Sequence, residues 1–259
     1  MVVPLAVELV QPRLRNSLIG HRILSFDSVT STMDVARREA ENGALEGTVV
    51  VAECQTDARG RFGRQWISAE GGSLSLSVVL YPSIGKLQRL SIATSVAVLR
   101  SIHRVTGLSP TLKWPNDVRL SGKKTCGILV EAVIRGEVDG FAIVGVGINV
   151  NIQLTLYPAI SSIATSLSHE LGVTVSREDL LVAFLEELGG IYSHPLPWTN
   201  VQREWVDALD TLGKQVKVLW GESVEEGLAE GVDSEGNLLL RRNDGTKVAL
   251  PGGEVTLQV

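Results

Sequence analysis

Hydrophobic residues recur along this chain at two periods, and the switch between them marks its elements. Thr30 to about Glu41 offers cap residues at Thr30, Ser31 and Thr32 and meets Gly43 near its end, which predicts a short helix. Gly47–Glu53 (GTVVVAE) is an apolar run of strand length. Gln55–Ser68 has no period and reads as a loop. Ser73–Tyr81 (SLSLSVVLY) begins with strict alternation and predicts a strand. Residues 86–104 carry Leu87, Leu90, Ala93, Val96, Ala97, Leu99 and Ile102 around most of a helical circumference, so that helix is expected to be buried. Thr125–Ile134 and Gly140–Val150 are strand-like and, joined through Arg135–Asp139, suit a hairpin. Ser176 followed by Asp179 resembles a capping box with Asp in place of Glu, and opens a helix that repeats Leu180, Phe184, Leu188 and Ile191.

The helical period stops after about Leu212. Short alternating runs replace it: Val216/Val218/Trp220, Leu238/Leu240, Val248/Leu250 and Val255/Leu257. Turn residues separate them at Gly221, Asp233–Gly236, Asn243–Gly245 and Gly252–Gly253. Residues 213–259 therefore predict a small β-barrel module, too small to be very stable alone and expected to lean on the domain formed by 1–212.

Composition narrows the function. The chain has 259 residues with 44% hydrophobic and 20% charged, an ordinary globular balance. A net charge of −5 disfavours a coat for bulk nucleic acid, so no DNA partner is expected. The longest nearly apolar run, Phe141–Val150, falls short of the roughly 18 residues of a membrane span, and the N-terminal stretch lacks the basic start of a signal peptide. Two cysteines, Cys54 and Cys126, leave one bridge open but suit a reducing compartment; the expected location is cytoplasmic.

Four stretches carry chemistry. Arg59–Trp66 places Arg59, Arg61 and Arg64 with Gly60 and Gly63 and ends on Trp66. Guanidinium forks match phosphate and carboxylate oxygens, glycines let backbone approach an anion, and an indole stacks on a base. A solvated basic loop is the plain alternative. Lys113, Trp114, Pro115, Asn116 and Asp117 follow a strand begun at Thr111, which Pro115 must end. Lys113 offers a point charge for phosphate; Asn116 and Asp117 are either hard-oxygen donors for Mg²⁺ or simply a turn. Lys123 and Lys124 open a strand, one expected inward and one to solvent. Gly145–Asn149 is a G-x-G without a third glycine or following helix, so it fails as a dinucleotide fingerprint. Both cysteines read as inert core residues, and His21, His103, His169 and His194 lack metal-ligand spacing. With no nucleophile in view, an enzyme built on these groups works by positioning and charge stabilisation.

Together these stretches resemble the biotin–protein ligases. Ala58–Trp66 resembles that family's G-R-G-R-x-G-R-x-W loop, with Ala58 for the first glycine. Its K-W-P-N-D is intact at Lys113–Asp117, its G-K-K/R-x-x-G-I-L-x-E resembles Gly122–Glu131, and its G-x-G-I/L-N matches Gly145–Asn149. The resemblance implies an α+β catalytic domain at 1–212, a mixed central β-sheet with flanking helices similar to class II aminoacyl-tRNA synthetases, followed by an SH3-like β-barrel at 213–259. Residues 1–19, which precede the similarity, are too few for the DNA-binding domain that many members carry, so a ligase-only type is expected.

The same resemblance implies the site. Biotin would be held by Ser31, Thr32, Gln55, Arg59, Gly60, Arg61, Lys124 and Gly127. Its ureido ring has one acceptor and two donors for hydroxyl and amide groups to answer. The family usually has S-T-N where this chain has Ser31, Thr32 and Met33. ATP would use Arg59, Arg61 and Arg64 on phosphates, Trp66 on adenine, Asn149 on the adenine edge and Lys113 near the α-phosphate, with Asn116 and Asp117 holding Mg²⁺ or orienting Lys113. Lys113, Arg59 and Lys124 are the expected catalytic residues. The implied reaction activates biotin as biotinyl-5′-AMP and passes it to a lysine of a biotin carboxyl carrier protein, with the arginine loop closing over the adenylate. A homodimer through the central sheet is implied for relatives of this type. The rival readings are a lipoate or octanoate ligase or transferase of the same fold, a biotin- or nucleotide-sensing regulator, and a structural partner.

Overall fold

The computed structural model describes residues 4–15, 18–87, 89–134, 140–193 and 198–257. The expected connection Arg135–Asp139 and His194 lie outside these residues. Strand β1 (Ile23–Val29) leads to α1 (Thr32–Glu41), β2 (Val49–Gln55) and β3 (Ser73–Leu80). A short α2 (Ile84–Leu87) precedes α3 (Leu90–Thr106). Then come β4 (Thr111–Lys113), β5 (Asp117–Leu120), β6 (Lys123–Val133) and β7 (Phe141–Asn149). Helices α4 (Leu167–Leu171), α5 (Arg177–Ser193) and α6 (Trp198–Ala208) follow.

Local chemistry sets the ends of these elements. The Ser31 side chain accepts from the Met33 N–H at 3.3 Å and caps α1. Ser176 Oγ accepts from the Asp179 N–H at 3.0 Å, the capping contact expected there. Gly107 ends α3 in the left-handed conformation, at φ 72°.

The seven strands form one sheet in the order β1-β2-β3-β7-β6-β5-β4. Only β1 and β2 run parallel; the other neighbours are antiparallel, and β6 and β7 pair as the hairpin expected from the sequence. One face carries α3, α5 and α6, where Val96, Ile102, Phe184, Leu188 and Trp205 pack with Ile128 and Val146 in the main core. The other face carries α1, whose Met33, Val35 and Ala36 pack on Val50, Val79 and Ile143. Ten residues of helix span about 15 Å, and strands repeat every ~4.8 Å, so α1 spans about three strands. It lies on β2, β3 and β7 and leaves the β6–β5 side of this face uncovered.

The residues on that face are small. Ser73, Ser75 and Ser77 of β3 pair with Asn149, Gly147 and Gly145 of β7, and Gly147 pairs in turn with Gly127 of β6. Side chains opposite one another in a ladder share a face. Alternation such as SLSLS ordinarily marks a solvated face, yet all eight residues of β3 are buried. The polar side of β3 is instead covered from within the chain: Ser77 Oγ lies 2.8 Å from Thr32 Oγ1, Ser75 Oγ 3.3 Å from Ser68 Oγ, and Ser73 Oγ accepts from the Ala69 N–H at 3.1 Å.

The C-terminal strands β8 (Gln215–Trp220), β9 (Ser223–Val232), β10 (Leu238–Arg241), β11 (Lys247–Leu250) and β12 (Glu254–Leu257) form an antiparallel sheet, ordered β11-β10-β9-β8-β12. The sequence reading missed β9, whose three glutamates and two glycines mask its alternation. Val216, Val218, Leu238, Leu240 and Val255 join the same core as α3 and α5, so this module does lean on the rest of the chain. Trp220 does not follow its apolar neighbours inward and is 42% exposed.

Candidate active site

A cavity of about 630 Å³ opens beside α1, and every residue expected to bind biotin, ATP or metal lines it. They come from α1, β2, the 58–66 loop, the β4–β5 turn, β6 and β7.

At the α1 side, Gln55 Oε1 accepts from the Thr32 N–H at 2.9 Å and from Thr32 Oγ1 at 3.1 Å. Thr32 Oγ1 also lies 2.8 Å from Ser77 Oγ. One amide oxygen is thus fixed by two donors, leaving the Gln55 NH₂ to face a ligand acceptor. Ser31 is buried, with its hydroxyl committed to the cap. Met33 lies over Gly145: a Cβ there would meet its Sδ at 2.7 Å.

The arginine loop folds back on itself. Gly60 N–H donates to Arg64 O at 2.7 Å and Trp66 N–H to Ala58 O at 2.8 Å. Each arginine has its own partner. Arg59 makes a two-pronged pair with Asp34 and lies 3.7 Å from Glu131. Arg61 Nη1 donates to Asn116 Oδ1 at 3.2 Å and to Gly253 O at 3.3 Å, both neutral acceptors. Burial pulls the Arg61 pKa down, offset by the Asp117 charge, so an arriving phosphate would supply the counter-charge it lacks. Arg64 is the most exposed of the three and pairs with Glu254 at the start of β12. The Trp66 ring lies on the glycine floor, where a Cβ on Gly147 would sit 2.6 Å from it. Its indole N–H is buried with no acceptor among the described residues.

Lys113 ends β4, pairs with Asp117 in the β4–β5 ladder and stands next to the cis Trp114–Pro115 bond; its ammonium lines the cavity. Burial holds its ammonium below the ordinary lysine range; Asp117 opposes that, while Arg119 and Lys124 add to it. Asn116 Nδ2 donates to Ile128 O at 2.6 Å, so that the turn is tied to β6. Asp117 Oδ1 is 2.5 Å from Lys124 Nζ, which lies 5.7 Å from the Trp66 ring centroid. Lys123 and Lys124 both line the cavity, unlike the one-in, one-out expectation. The β5–β6 register shifts beside them, after Val118, and a bulge breaks the strict alternation. Asn149 is buried, its Nδ2 donating to Thr165 O at 3.1 Å.

Asp117 is the carboxylate that the sequence offers for a metal ion. No group of three or more His, Cys, Asp or Glu among the described residues is arranged to hold an ion. One carboxylate still suits Mg²⁺ that keeps several waters and takes its other oxygens from phosphates. Neither cysteine is bridged, and burial pushes the Cys126 thiol well up, so it is no nucleophile.

Sequence reasoning missed Asp34, Ser77, Glu254 and the 160–164 segment, which also meet this site. Asp34 lies three residues after Ser31, the spacing that puts it at the start of α1, but nothing in the sequence says that Arg59 reaches it. Gly252–Gly253 was legible only as a turn.

A model of the biotin/lipoate A/B protein ligase family matches residues 25–149, and a model of the biotin protein ligase C-terminal domain matches residues 211–257. The chain is 35% identical over 241 residues to the bifunctional ligase/repressor BirA of Bacillus subtilis (strain 168), covering 90% of this chain and 74% of that one. It is 32% identical over 265 residues to the biotin–[acetyl-CoA-carboxylase] ligase of Mycobacterium tuberculosis, covering 95% and 94%. The biotin protein ligase from Aquifex aeolicus in complex with biotin and ATP has a TM-score of 0.78 at 30% identity, over 92% of this chain and 98% of that chain. On both its sequence and its fold, the chain belongs to the biotin/lipoate A/B protein ligase family.

Proposed function

We propose that this protein is the ligase that joins biotin to a lysine of a biotin carboxyl carrier protein, through biotinyl-5′-AMP. The observation that carries this reading is one cavity lined both by ureido-matching groups (Thr32, Gln55) and by cations (Lys113, Lys124, Arg61). In the first step a biotin carboxylate oxygen attacks the α-phosphorus of ATP, the bond to pyrophosphate breaks, and the mixed anhydride forms. Lys113 and Lys124 offset the repulsion between carboxylate and triphosphate and stabilise the transferring group. Mg²⁺, when bound, would neutralise phosphate charge, with Asp117 and Asn116 the oxygens to hold it. The glycines at 127 and 147 let the Trp66 ring lie against the sheet, and Gly145 does the same for Met33, so that a ligand meets those side chains. Arg59, Gly60, Arg61 and Arg64 close over the adenylate and limit hydrolysis, with Trp66 and Asn149 on the adenine. In the second step the carrier's ε-amine attacks the acyl carbon and AMP leaves with the P–O–C oxygen. The nucleophile belongs to the carrier.

Lipoate or octanoate transfer is not favoured: the Aquifex aeolicus structure holds biotin with ATP, and the Mycobacterium tuberculosis relative is named a biotin ligase. Incubation with ATP, Mg²⁺, biotin and a carrier domain should raise the carrier's mass by one biotinyl group. No mass change, or exchange of pyrophosphate with lipoate in place of biotin, overturns the reading.

The division into 1–212 and 213–259, a homodimer through the central sheet and a cytoplasmic setting without DNA binding belong to the same proposal. The free thiols and the charge of −5 support the last two. Among the described residues no helix is long and apolar enough to cross a membrane. Limited proteolysis, sedimentation and a gel shift test the division, the dimer and the DNA expectation in turn.

A further inference from the structure

Residues 160–165 form a strap along one side of the cavity, lying against the start of β6. Ile163 O accepts from the Lys124 N–H at 2.9 Å, and Thr165 N–H donates to Lys124 O at 2.8 Å, so the strap holds both backbone polar groups of Lys124. Thr165 O also receives Asn149 Nδ2. Two residues assigned above to the reacting pair, on neighbouring strands, are therefore referenced to one short segment.

That segment is held by Glu170 of α4, a residue that does not itself line the cavity. Its Oε1 accepts from Thr165 Oγ1 at 2.5 Å, and its Oε2 from Ser121 Oγ at 2.6 Å. Ser121 and Gly122 make the β5–β6 turn, with φ 48° and 77°. Two positive φ values in a two-residue hairpin turn are matched by Asn or Gly and cost a serine strain. The charge-assisted bond to Glu170 offsets that strain. Thr165 is fully buried, and without Glu170 its hydroxyl loses the one acceptor it has among the described residues. The two hydroxyls hold the Glu170 carboxyl below its usual range against the effect of burial, so it is ionised at neutral pH.

We propose that Glu170 is a positioning residue for the nucleotide: by clamping Thr165 and Ser121 with its two oxygens, it fixes Asn149 and the start of β6 in the geometry that binds ATP. This rests on the ligase reading above. The biotin groups Thr32 and Gln55 stand on the far side, since β3 and β7 separate β2 from β6, about 14 Å at ordinary strand spacing.

The test is biotin-dependent pyrophosphate exchange by the full chain, with KM for ATP and for biotin measured separately, beside melting temperatures. Glu170→Ala should raise KM for ATP about tenfold, the loss of charge-assisted hydrogen bonds, and raise KM for biotin by clearly less, since Lys124 alone of the biotin groups is held by the strap while Thr32 and Gln55 are not. Glu170→Gln, whose amide can still meet both hydroxyls, should recover most of the loss. Ser121→Gly relieves the turn and removes one arm of the clamp, so KM for ATP should rise at an undiminished melting temperature. If Glu170→Ala does not fold, Ser121→Gly decides alone. A native KM for ATP in Ser121→Gly, or equal losses for biotin and ATP in Glu170→Ala, overturns the proposal. A native chain without exchange overturns the ligase reading itself, and this with it.

Discussion

Arg59 and Asp34 grip each other through two hydrogen bonds, Nη1 to Oδ2 at 3.0 Å and Nη2 to Oδ1 at 2.5 Å. The pair ties the arginine loop to the first turn of α1, beside the residues that meet biotin in the proposed reaction. Arg59 holds the Asp34 carboxyl below its usual range, against the effect of burial, and Asp34 raises the Arg59 pKa in return. Any anion that uses Arg59 must therefore compete with Asp34.

Removing either partner should release the loop. Arg59→Ala and Asp34→Ala are each expected to speed biotinyl-adenylate dissociation by about tenfold, the worth of a bidentate charge-assisted contact. Both side chains are about one-third exposed, so global stability should change little. Because one contact is lost in both, the double variant should dissociate no faster than the singles. Additive effects, measured by stopped-flow fluorescence, would show that the two residues act apart.

Lys113→Ala should lower adenylate formation by about two to three orders of magnitude, as for loss of a transition-state cation, with the fold intact by circular dichroism. Burial lowers the Lys113 pKa, so activity should fall on the alkaline side before a free lysine would titrate. The sign for stability follows from the same direction. Between the lowered value and the free-lysine value the unfolded chain binds more protons, so the native state gains stability as pH rises through that window. Lys113→Met should abolish that slope, and denaturant melts across alkaline pH check it.

Gly147→Ala should damage activity far more than stability. The added methyl would lie 2.6 Å from the Trp66 ring, which must leave its place on the floor. The strand itself accepts alanine, and β7 keeps its pairing on both sides. An active variant with a native Trp66 emission spectrum would remove the floor from the mechanism.

Thr32→Val removes the hydroxyl that fixes Gln55 and leaves the amide with the Thr32 N–H alone. Biotin affinity should fall about tenfold, as for one buried hydrogen bond lost, while ATP binding is unaffected. Calorimetry with each ligand separates the two.

Much of this protein was legible along the chain because it is local. Ser31 and Ser176 announce their helices through capping geometry that needs only three or four residues. Four ordered motifs were legible because each sets a particular residue at a particular turn or strand end, and the structure brings them to one cavity. Strand β9 escaped because its glutamates outweigh its apolar side, and alternation along β6 did not show that both lysines line the cavity. That neither face of SLSLS meets solvent could not be read, since alternation fixes that two faces exist but not what covers them. Only the tertiary structure set Ser75 and Ser77 against Gly147 and Gly145, laid Trp66 on that floor and brought Asp34 to Arg59. Those contacts join segments far apart in the chain. One short helix packs on β2, β3 and β7 and leaves the Gly127–Gly147 rungs to the Trp66 ring, an arrangement that packing between distant segments decides.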